Sequence, residues 1–364
     1  MNRENQFTEV VQLIKQARSN AYKAINVELI NCYWQVGEYI SKQIAQATWG
    51  DKTVAELSEF IEKRHPDIKG FNRRGLYRMK QFYETYCQKS SIVSSTMTQF
   101  QSSDNQFDII VPSTMTQLEI TDIKNSILSK IGWTHHLVLI SRPKTDEERE
   151  FYLRLCIQEN YSVKELERQI TSGVFERVML GNQKLSSVLR EFKPDISNHF
   201  KDKYVLEFLN LPVPHSENDL QKALIKEMKT FILELGKDFI FVGEEFRIQV
   251  GNSDFEIDLL FYHRGLQSLI AVELKTDKFK PEHLGQLNFY LEALDRDVKK
   301  EHEKPSIGIL LCSEHDTEVV EYALNRSLSP AMVAAYQTQL PDKEILQQKM
   351  RHIVDNNTGT PEKP

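Results

Sequence analysis

The stretch "DFEIDLLFYHRGLQSLIAVELKTDKF", Asp254 to Phe279, decides the fold of the second half of the chain. It holds two apolar runs joined by the short turn "HRGLQ", a pattern that predicts two strands paired as an antiparallel hairpin. Three charged residues, Asp258, Glu273 and Lys275, interrupt these runs. Burying such charges is unfavourable unless they are paired or bind a metal, so their presence needs an explanation.

Strand alternation predicts where these charges lie, because successive side chains point to opposite faces of a sheet. Glu273 and Lys275 are two residues apart and share a face. In the preceding strand we expect Asp258 on the face opposite Ile257 and Leu259. The hairpin would then bring two carboxylates and one ammonium to a single spot. The alternative is a structural cluster in which Lys275 merely neutralises Glu273 at a strand end.

These residue types suit metal-dependent hydrolysis of a phosphodiester. Mg²⁺ is a hard cation that prefers carboxylate oxygens, so Asp258 and Glu273 are the predicted metal ligands, with Mn²⁺ as the alternative ion. A bound metal acidifies its water and stabilises charge that builds on a phosphate. Lys275 is predicted to orient or deprotonate the attacking water, or to stabilise the transition state.

The constellation Asp258 … Glu273-x-Lys275 resembles the PD-(D/E)xK phosphodiesterase superfamily, which has the restriction-endonuclease-like fold. The proline that usually precedes the Asp is absent, and Ile257 stands in its place. The resemblance implies a phosphodiesterase with all three residues in catalytic roles.

The following segment "GQLNFYLEALD" adds a second likeness. Gln286 and Tyr290 are four residues apart and therefore share a helix face. This spacing resembles the Q-x-x-x-Y motif that follows the catalytic lysine in RecB-like members. The resemblance implies that Gln286 and Tyr290 belong to the catalytic group, where they position the substrate or the lysine. A solvated Gln beside a Tyr packed on the sheet is the alternative.

Nearly the whole chain is similar to the YhcG-like, DUF1016 proteins of bacteria. The segments "YWQVGEYI", "GFNRRGLYRMKQFYETY" and "GWTHHLVLI" resemble the N-terminal domain of that family. The stretch from "FVGEEFRIQV" to "GQLNFYLEALD" resembles its C-terminal nuclease domain. This resemblance implies a nuclease without naming a substrate, and a role in host defence or DNA repair is a further expectation.

Periodicity divides the chain into a helical first part and a mixed second part. We expect an α/β protein with a helical, helix-turn-helix-like N-terminal domain and a C-terminal restriction-endonuclease-like domain with a mixed central sheet. The predicted boundaries are a helical DNA- or partner-binding region at 1–88, a Ser/Thr/Gln-rich linker at 89–121, a helical continuation at 122–192, the nuclease domain at 217–345, and a helix end and tail at 346–364.

A basic segment between Lys69 and Tyr83 contains no acidic residue. Arg74 and Arg78 share a helix face there, and Asn72 marks a helix start whose free N–H groups suit a phosphate. The segment resembles the recognition helix of a helix-turn-helix unit, with a solvated basic face as the alternative. The predicted nucleic-acid-binding residues are Arg73, Arg74, Arg78 and Lys80, together with Lys278 and Lys280 after the E-x-K strand.

Other metal sites are not predicted. His135 and His136 in "WTHH" have no third ligand nearby in sequence, so we expect structural or recognition roles. The four cysteines form no C-x-x-C pair and are expected to be reduced.

Bulk composition narrows the function class only slightly. The net charge of −6 argues against a generally basic surface but not against local basic patches. No apolar window is long enough for a membrane span, and the start "MNRENQFTEV" lacks the apolar core of a signal peptide, so we expect a soluble cytoplasmic protein without membrane contact.

The expected partner is nucleic acid, with DNA placed before RNA, and the expected assembly is a homodimer or a larger complex. The runner-up function is a non-catalytic nucleic-acid-binding or adaptor subunit.

Overall fold

The computed structural model describes residues 3–87, 123–181, 183–192 and 196–358. The predicted linker at 89–121 lies outside these described residues. The chain divides into two compact units. The first contains the described residues up to 170, and the second contains those from 171 onward.

The first unit is helical. Its helices are α1 (Arg3–Ala45), α2 (Asp51–Arg64), α3 (Arg73–Cys87), α4 (Trp133–Ser141), α5 (Asp146–Glu159) and α6 (Val163–Thr171), with 3-10 turns at Ile123–Asn125 and Ile127–Lys130. The second half of α1 packs along α3. Gly37 allows this close approach, because a Cβ there would lie 2.1 Å from the Met79 carbonyl oxygen. α3 begins where the Asn72 side chain accepts a 2.8 Å hydrogen bond from the Gly75 N–H, as the cap prediction required.

The adjacent histidines of α4 are held by main-chain carbonyls. His136 is fully buried, and its Nε2 lies 2.8 Å from the Leu128 carbonyl oxygen. His135 Nε2 lies 3.0 Å from the carbonyl oxygen of Tyr161. These contacts agree with the expected structural roles. Burial lowers the pKa of His136 to about 4, so its ring is neutral near pH 7.

We predict that the first unit loses stability as the pH falls from about 6.5 to about 4. The folded-state pKa of His136 lies below its ordinary value, so the unfolded chain takes up the proton first. The stabilisation is therefore complete above the unfolded pKa, and on the order of 3 kcal/mol is lost as the pH falls through the folded pKa. Thermal unfolding across this range measures the loss. His136→Gln keeps a hydrogen-bond donor for the Leu128 carbonyl oxygen and should flatten the dependence of stability on pH. An unchanged pH profile in that variant would contradict the prediction.

The second unit is a mixed α/β unit. Its strands are β1 (Lys184–Leu185), β2 (Lys203–Val205), β3 (Phe239–Val250), β4 (Ser253–His263), β5 (Ser268–Lys278), β6 (Ile307–Glu314) and β7 (Ala331–Gln337). Its helices are α7 (Val174–Leu180), α8 (Ser187–Phe192), α9 (Glu217–Lys226), α10 (Met228–Leu235), α11 (His283–Ala293), α12 (Thr317–Asn325) and α13 (Lys343–Thr358). Short 3-10 turns lie at Ile196–His199 and Glu207–Leu209, and a π-helical turn, Leu294–Val298, extends α11.

The strands form one sheet in the order β1-β7-β6-β5-β4-β3, with β2 paired to β7. β4 pairs antiparallel with both β3 and β5, whereas β6 pairs parallel with both β5 and β7. Buried residues of α9 and α10 pack on one face, and those of α11 and α12 on the other. Coverage of both faces explains why β5 and β6 are almost continuously apolar. The helical first unit and the mixed sheet of the second unit confirm the predicted fold class.

Two strands of the sheet precede the predicted start of the nuclease domain at residue 217. β1 pairs antiparallel and β2 parallel with β7, and the predicted boundary leaves both out. Strands of two or three residues are too short to show a period of two, which is why the sequence pattern does not reveal them. The domain limits stay predictions. Within the described part of the chain, no helix combines the length and apolar character needed to cross a bilayer.

Candidate active site

Asp258 lies where β4 loses regular pairing with both neighbours. The ladder to β5 begins only at Leu259, and the ladder to β3 has no pair between Asp258 and Glu245. Glu245 has a φ of 44°, an uncommon backbone conformation for a residue with a side chain. The alternation is broken as well, because Ile257 and Leu259 belong to different buried clusters. The expectation that both lie on one face opposite Asp258 is therefore wrong.

The Asp258 side chain joins β4 to β5 where the ladder between them is missing. Its Oδ2 accepts a 2.7 Å hydrogen bond from the Leu274 N–H, so the carboxylate lies beside the segment that carries Glu273 and Lys275. Its own carbonyl oxygen accepts a 3.2 Å hydrogen bond from Gln221 Nε2 in α9. Burial raises the pKa of Asp258, while the Leu274 N–H and the Lys275 ammonium act in the opposite direction.

Glu273 and Lys275 contact each other, as their shared face predicts. Lys275 Nζ donates to Glu273 Oε1 at 3.1 Å and to Glu217 Oε2 at 3.4 Å. The Glu273 side chain is only 2% exposed. Its second oxygen, Oε2, is buried and has no hydrogen-bond partner among the described residues. A buried carboxylate oxygen without a partner is unfavourable, and this makes Glu273 the unusual residue of the site.

The pKa values of Glu273 and Lys275 are both raised, but for different reasons. Burial and the nearby charge of Asp258 raise the pKa of Glu273 to about 7, although Lys275 opposes the shift. Burial alone would lower the pKa of Lys275, but Glu273 and Glu217 outweigh it and the pKa is raised. Lys275 is therefore an ammonium at neutral pH. In that state it can stabilise negative charge on a phosphate.

The acidic residues fit a divalent cation. The unpartnered Glu273 Oε2 offers a buried oxygen ligand, and a cation would relieve the repulsion between Glu273 and Asp258. No group of three or more His, Cys, Asp or Glu side chains suited to a metal occurs in the described ranges. Two carboxylates would thus need main-chain oxygens and water to complete the coordination, an arrangement that Mg²⁺ commonly accepts.

Gln286 and Tyr290 lie on one face of α11 and contact each other. Gln286 Nε2 donates a 2.8 Å hydrogen bond to the Tyr290 hydroxyl. Tyr290 is buried, and its pKa is raised by burial and further by the charges of Glu273 and Asp258. Tyr290 therefore lies within electrostatic reach of both carboxylates.

α11 packs closely against strand β6 of the sheet. Gly308 on β6 lies against Leu287, and a Cβ at Gly308 would meet the Leu287 side chain at 2.7 Å. A larger residue at this position of β6 would force Leu287 to move, and Leu287 lies on the helix that carries Gln286 and Tyr290.

The sequence patterns missed two residues of the site, Glu217 and Gln221 on α9. Glu217 contacts Lys275, and Gln221 donates to the main chain of Asp258. An acid in the first turn of a helix is commonplace because it favours the helix dipole, so Glu217 did not stand out. The one usable signal was that Glu217 and Gln221 are four residues apart on a single helix face.

The predicted basic residues of α3 differ in their surroundings. Arg73 and Arg74 are exposed and Arg78 is half-buried. The Arg73 guanidinium lies 5.8 Å from the centre of the Tyr77 ring. Lys80 forms a 2.9 Å ion pair with Glu84, which neutralises much of its charge. The arginines are thus better placed than Lys80 to contact a phosphate.

The two predicted lysines after the E-x-K motif are both exposed. Lys280 forms a 2.7 Å ion pair with Asp277, whereas Lys278 has no such pair among the described residues. Lys278 therefore retains an uncompensated positive charge at the end of β5.

Comparison with known proteins places the chain in a family. Residues 9–177 match the DUF1016 N-terminal domain, and residues 197–351 match the YhcG PDDEXK nuclease domain. The Escherichia coli (strain K12) protein named "Putative nuclease YhcG" is 30% identical over 349 residues, which cover 93% of this chain and 90% of that protein. The chain belongs to the YhcG family. Membership confirms the family resemblance, and a PDDEXK domain of this kind implies nuclease chemistry, a nucleic-acid substrate and a divalent metal ion.

Among solved structures, the chain is similar to a repair endonuclease from Pyrococcus abyssi. The likeness has a TM-score of 0.24 and 16% identity, and it covers 36% of this chain and 50% of the endonuclease chain. A likeness this low supports no conclusion about the substrate of the YhcG family.

We predict opposite shifts of the Glu273 pKa when its neighbours lose their charge. Asp258→Asn removes a repelling carboxylate and should lower the pKa from about 7, whereas Lys275→Met removes an attracting ammonium and should raise it. Carboxyl ¹³C NMR titration of the metal-free protein in a chelator measures both. Asp254→Asn, on an exposed residue of the same strand, is the control and should leave the pKa unchanged. Shifts of equal sign in the two site variants would contradict this electrostatic description.

Proposed function

We propose that this chain is a metal-dependent endonuclease that hydrolyses phosphodiester bonds, with DNA as its substrate. The observation that carries the proposal is the buried Glu273 carboxylate, whose Oε2 has no partner among the described residues although it lies beside Asp258 and Lys275. A purely structural ion pair usually satisfies both carboxylate oxygens. A role in host defence or DNA repair, and a cytoplasmic location, belong to the same proposal.

Asp258 and Glu273 would hold Mg²⁺ or Mn²⁺. The bound ion would supply an acidified water and stabilise charge on the phosphate. Asp258 is oriented for this role because the Leu274 N–H fixes one of its oxygens. Glu273 would be the more sensitive of the two ligands, since it must stay deprotonated in a buried position.

Lys275 acts as a fixed positive charge. Its contacts with Glu273 and Glu217 keep the ammonium protonated and restrict its position. A preorganised charge of this kind stabilises the negative charge that develops on the phosphate oxygens during attack. Gln286 and Tyr290 would position the substrate or this lysine, and their mutual hydrogen bond limits their movement.

The arginines of α3 would contact the nucleic-acid backbone. Arg73 and Arg74 are exposed at the start of the helix, where main-chain N–H groups also favour a phosphate. Such contacts recognise phosphates and not sugars, so the choice of DNA over RNA rests with the experiment below. Lys80, Lys278 and Lys280 belong to the same proposal as supporting contacts.

We predict that the wild-type protein cleaves nucleic acid in Mg²⁺ or Mn²⁺, and that Asp258→Asn and Lys275→Ala each reduce the rate by at least about a hundredfold. The assay compares supercoiled, linear, branched and single-stranded DNA with RNA, with and without a chelator. Asp254→Asn is the matched control, because Asp254 is an exposed acid on the same strand.

Cleavage that survives both site substitutions would remove the proposed site. Absence of cleavage by the wild type on every substrate, while it still binds DNA, would instead favour a non-catalytic adaptor. A preference for RNA would retain the nuclease and replace only the substrate.

Removal of two arginines from α3 should weaken DNA binding independently of catalysis. We expect Arg74→Ala with Arg78→Ala to reduce affinity and to lower the slope of log affinity against log salt by about one to two, because fewer counterions are released. Fluorescence anisotropy at several salt concentrations measures this slope. Lys52→Ala with Lys63→Ala on α2 is the matched control, since both lysines pair with glutamates of their own helix. Equal slopes for the two double variants would exclude α3 as the binding surface.

A further inference from the structure

One rung of the ladder between β3 and β4 is missing, and it is the rung of Asp258. By register Glu245 stands opposite Asp258, but the two residues form no ladder pair. The pairs on either side of this rung are both present: Glu244↔Leu259 and Phe246↔Ile257. The hairpin therefore continues through Asp258 with a local change in its backbone.

Both strands of the hairpin change face at this rung. Every second residue of a regular strand lies on the same face, and directly opposed residues of an antiparallel pair share a face. On β4, Leu259 belongs to the core under α9 and α10, whereas Ile257 belongs to the core under α11 and α12. On β3, Glu244 lies opposite Leu259, yet Phe246 packs with the cluster that contains Ile257. The two strands thus reverse their faces together.

This reversal directs the Asp258 carboxylate toward β5. In a regular strand the side chain would stand roughly perpendicular to the sheet. The pairing of β4 with β5 starts at Leu259↔Val272, so the residue opposite Asp258 in that register is Glu273. Instead of a ladder pair, Asp258 Oδ2 accepts the 2.7 Å hydrogen bond from the Leu274 N–H. The carboxylate therefore supplies an acceptor where the main-chain ladder stops.

Glu245 has the backbone conformation that such a reversal requires. Its φ of 44° lies in the left-handed region, which residues with a side chain seldom adopt. Glu245 lies inside strand β3. The other described non-glycine residues with a positive φ lie outside helices and strands, where this conformation is ordinary: Ala47, Asn160, Asn210 and Gln267. A left-handed residue inside a strand is unfavourable and persists only where its surroundings require it.

We propose that Glu245 is a positioning residue of the active site, whose left-handed backbone reverses the β3–β4 hairpin at Asp258 and so directs the Asp258 carboxylate to β5. Its effect on catalysis rests on the proposed nuclease function, whereas its effect on the position of Asp258 does not. The Glu245 side chain is exposed, and the role belongs to its main chain. Glycine should therefore be able to replace Glu245, and a β-branched residue should not.

Hydrogen exchange of the Leu274 amide in the metal-free protein tests this geometry, because that N–H donates to Asp258. We expect Glu245→Val to speed exchange at Leu274 by at least about tenfold relative to the Leu311 amide, which lies in the middle of the sheet. Glu245→Gly should keep the wild-type rate. Glu244→Val, on an exposed glutamate of the same strand, is the matched control and should also keep it.

Wild-type exchange at Leu274 in the Glu245→Val variant would overturn the proposal. So would exchange in Glu245→Gly that is as fast as in Glu245→Val, because loss of the side chain would then explain both.

Thermal unfolding tests the same backbone conformation even if Glu245→Val does not fold. Glu245→Gly should raise the Tm, because glycine adopts the left-handed region without a steric cost. Glu244→Gly should lower the Tm, because glycine weakens a regular strand. A fall in Tm for Glu245→Gly as large as that for Glu244→Gly would overturn the left-handed role of Glu245.

Cleavage in Mg²⁺ separates the positioning role from the proposed function. Glu245→Val should cleave at least about tenfold more slowly than Glu244→Val, because a displaced carboxylate is misaligned with its neighbours. Glu245→Gly should recover most of this loss. Equal rates for the two valine variants would overturn the positioning role while the nuclease function stands. If the wild type cleaves no substrate, the proposed function fails, and exchange at Leu274 still decides whether Glu245 positions Asp258.

Discussion

The buried carboxylate of Glu273 is the constraint on which the second unit depends. It lies in a strand whose two faces are both covered by helices, so water cannot solvate it. Neighbouring groups must therefore compensate the charge. Lys275 reaches it from the same strand, and Asp258 is tied beside it by the Leu274 N–H. The placement of α9 has a reason in the same constraint, since Glu217 at its start holds the other side of the Lys275 ammonium.

This compensation is incomplete, and the imbalance has a chemical meaning. Glu273 and Glu217 contact one ammonium, and the charge of Asp258 acts on the same group, which leaves an excess of negative charge around the buried Glu273. A site selected only for stability would use fewer acids or an apolar residue of similar size. Burial and the charge of Asp258 raise the pKa of Glu273 to about 7, in the direction expected for a carboxylate whose charge is incompletely compensated. A divalent cation would neutralise this excess negative charge. The unfavourable burial of the Glu273 carboxylate is therefore consistent with a functional site.

Much of this arrangement could be predicted from the sequence, and the exceptions have specific physical causes. The hairpin, the shared face of Glu273 and Lys275, and the Gln286–Tyr290 pair all follow from local periodicity. The irregular backbone at Glu245 and Asp258 does not, because it depends on the way β3 pairs with β4. Glu217 is 58 positions from Lys275 in the chain, and only the tertiary fold brings them together. Sequence alternation thus identified which residues are charged and buried, but not how the backbone bends to bring them together.

The two sides of α1 show a different limit of pattern analysis. Taken as one helix, Arg3–Ala45 has apolar residues on nearly every side, so no single apolar face stands out along its full length. The structure separates this pattern into two halves that use different sides of the helix: the second half packs on α3, and the first half is exposed. Averaging along the whole helix cancels the two directions and hides both. The exposed side becomes visible only after the buried side is known, because burial identifies the apolar residues that the core of the first unit already uses.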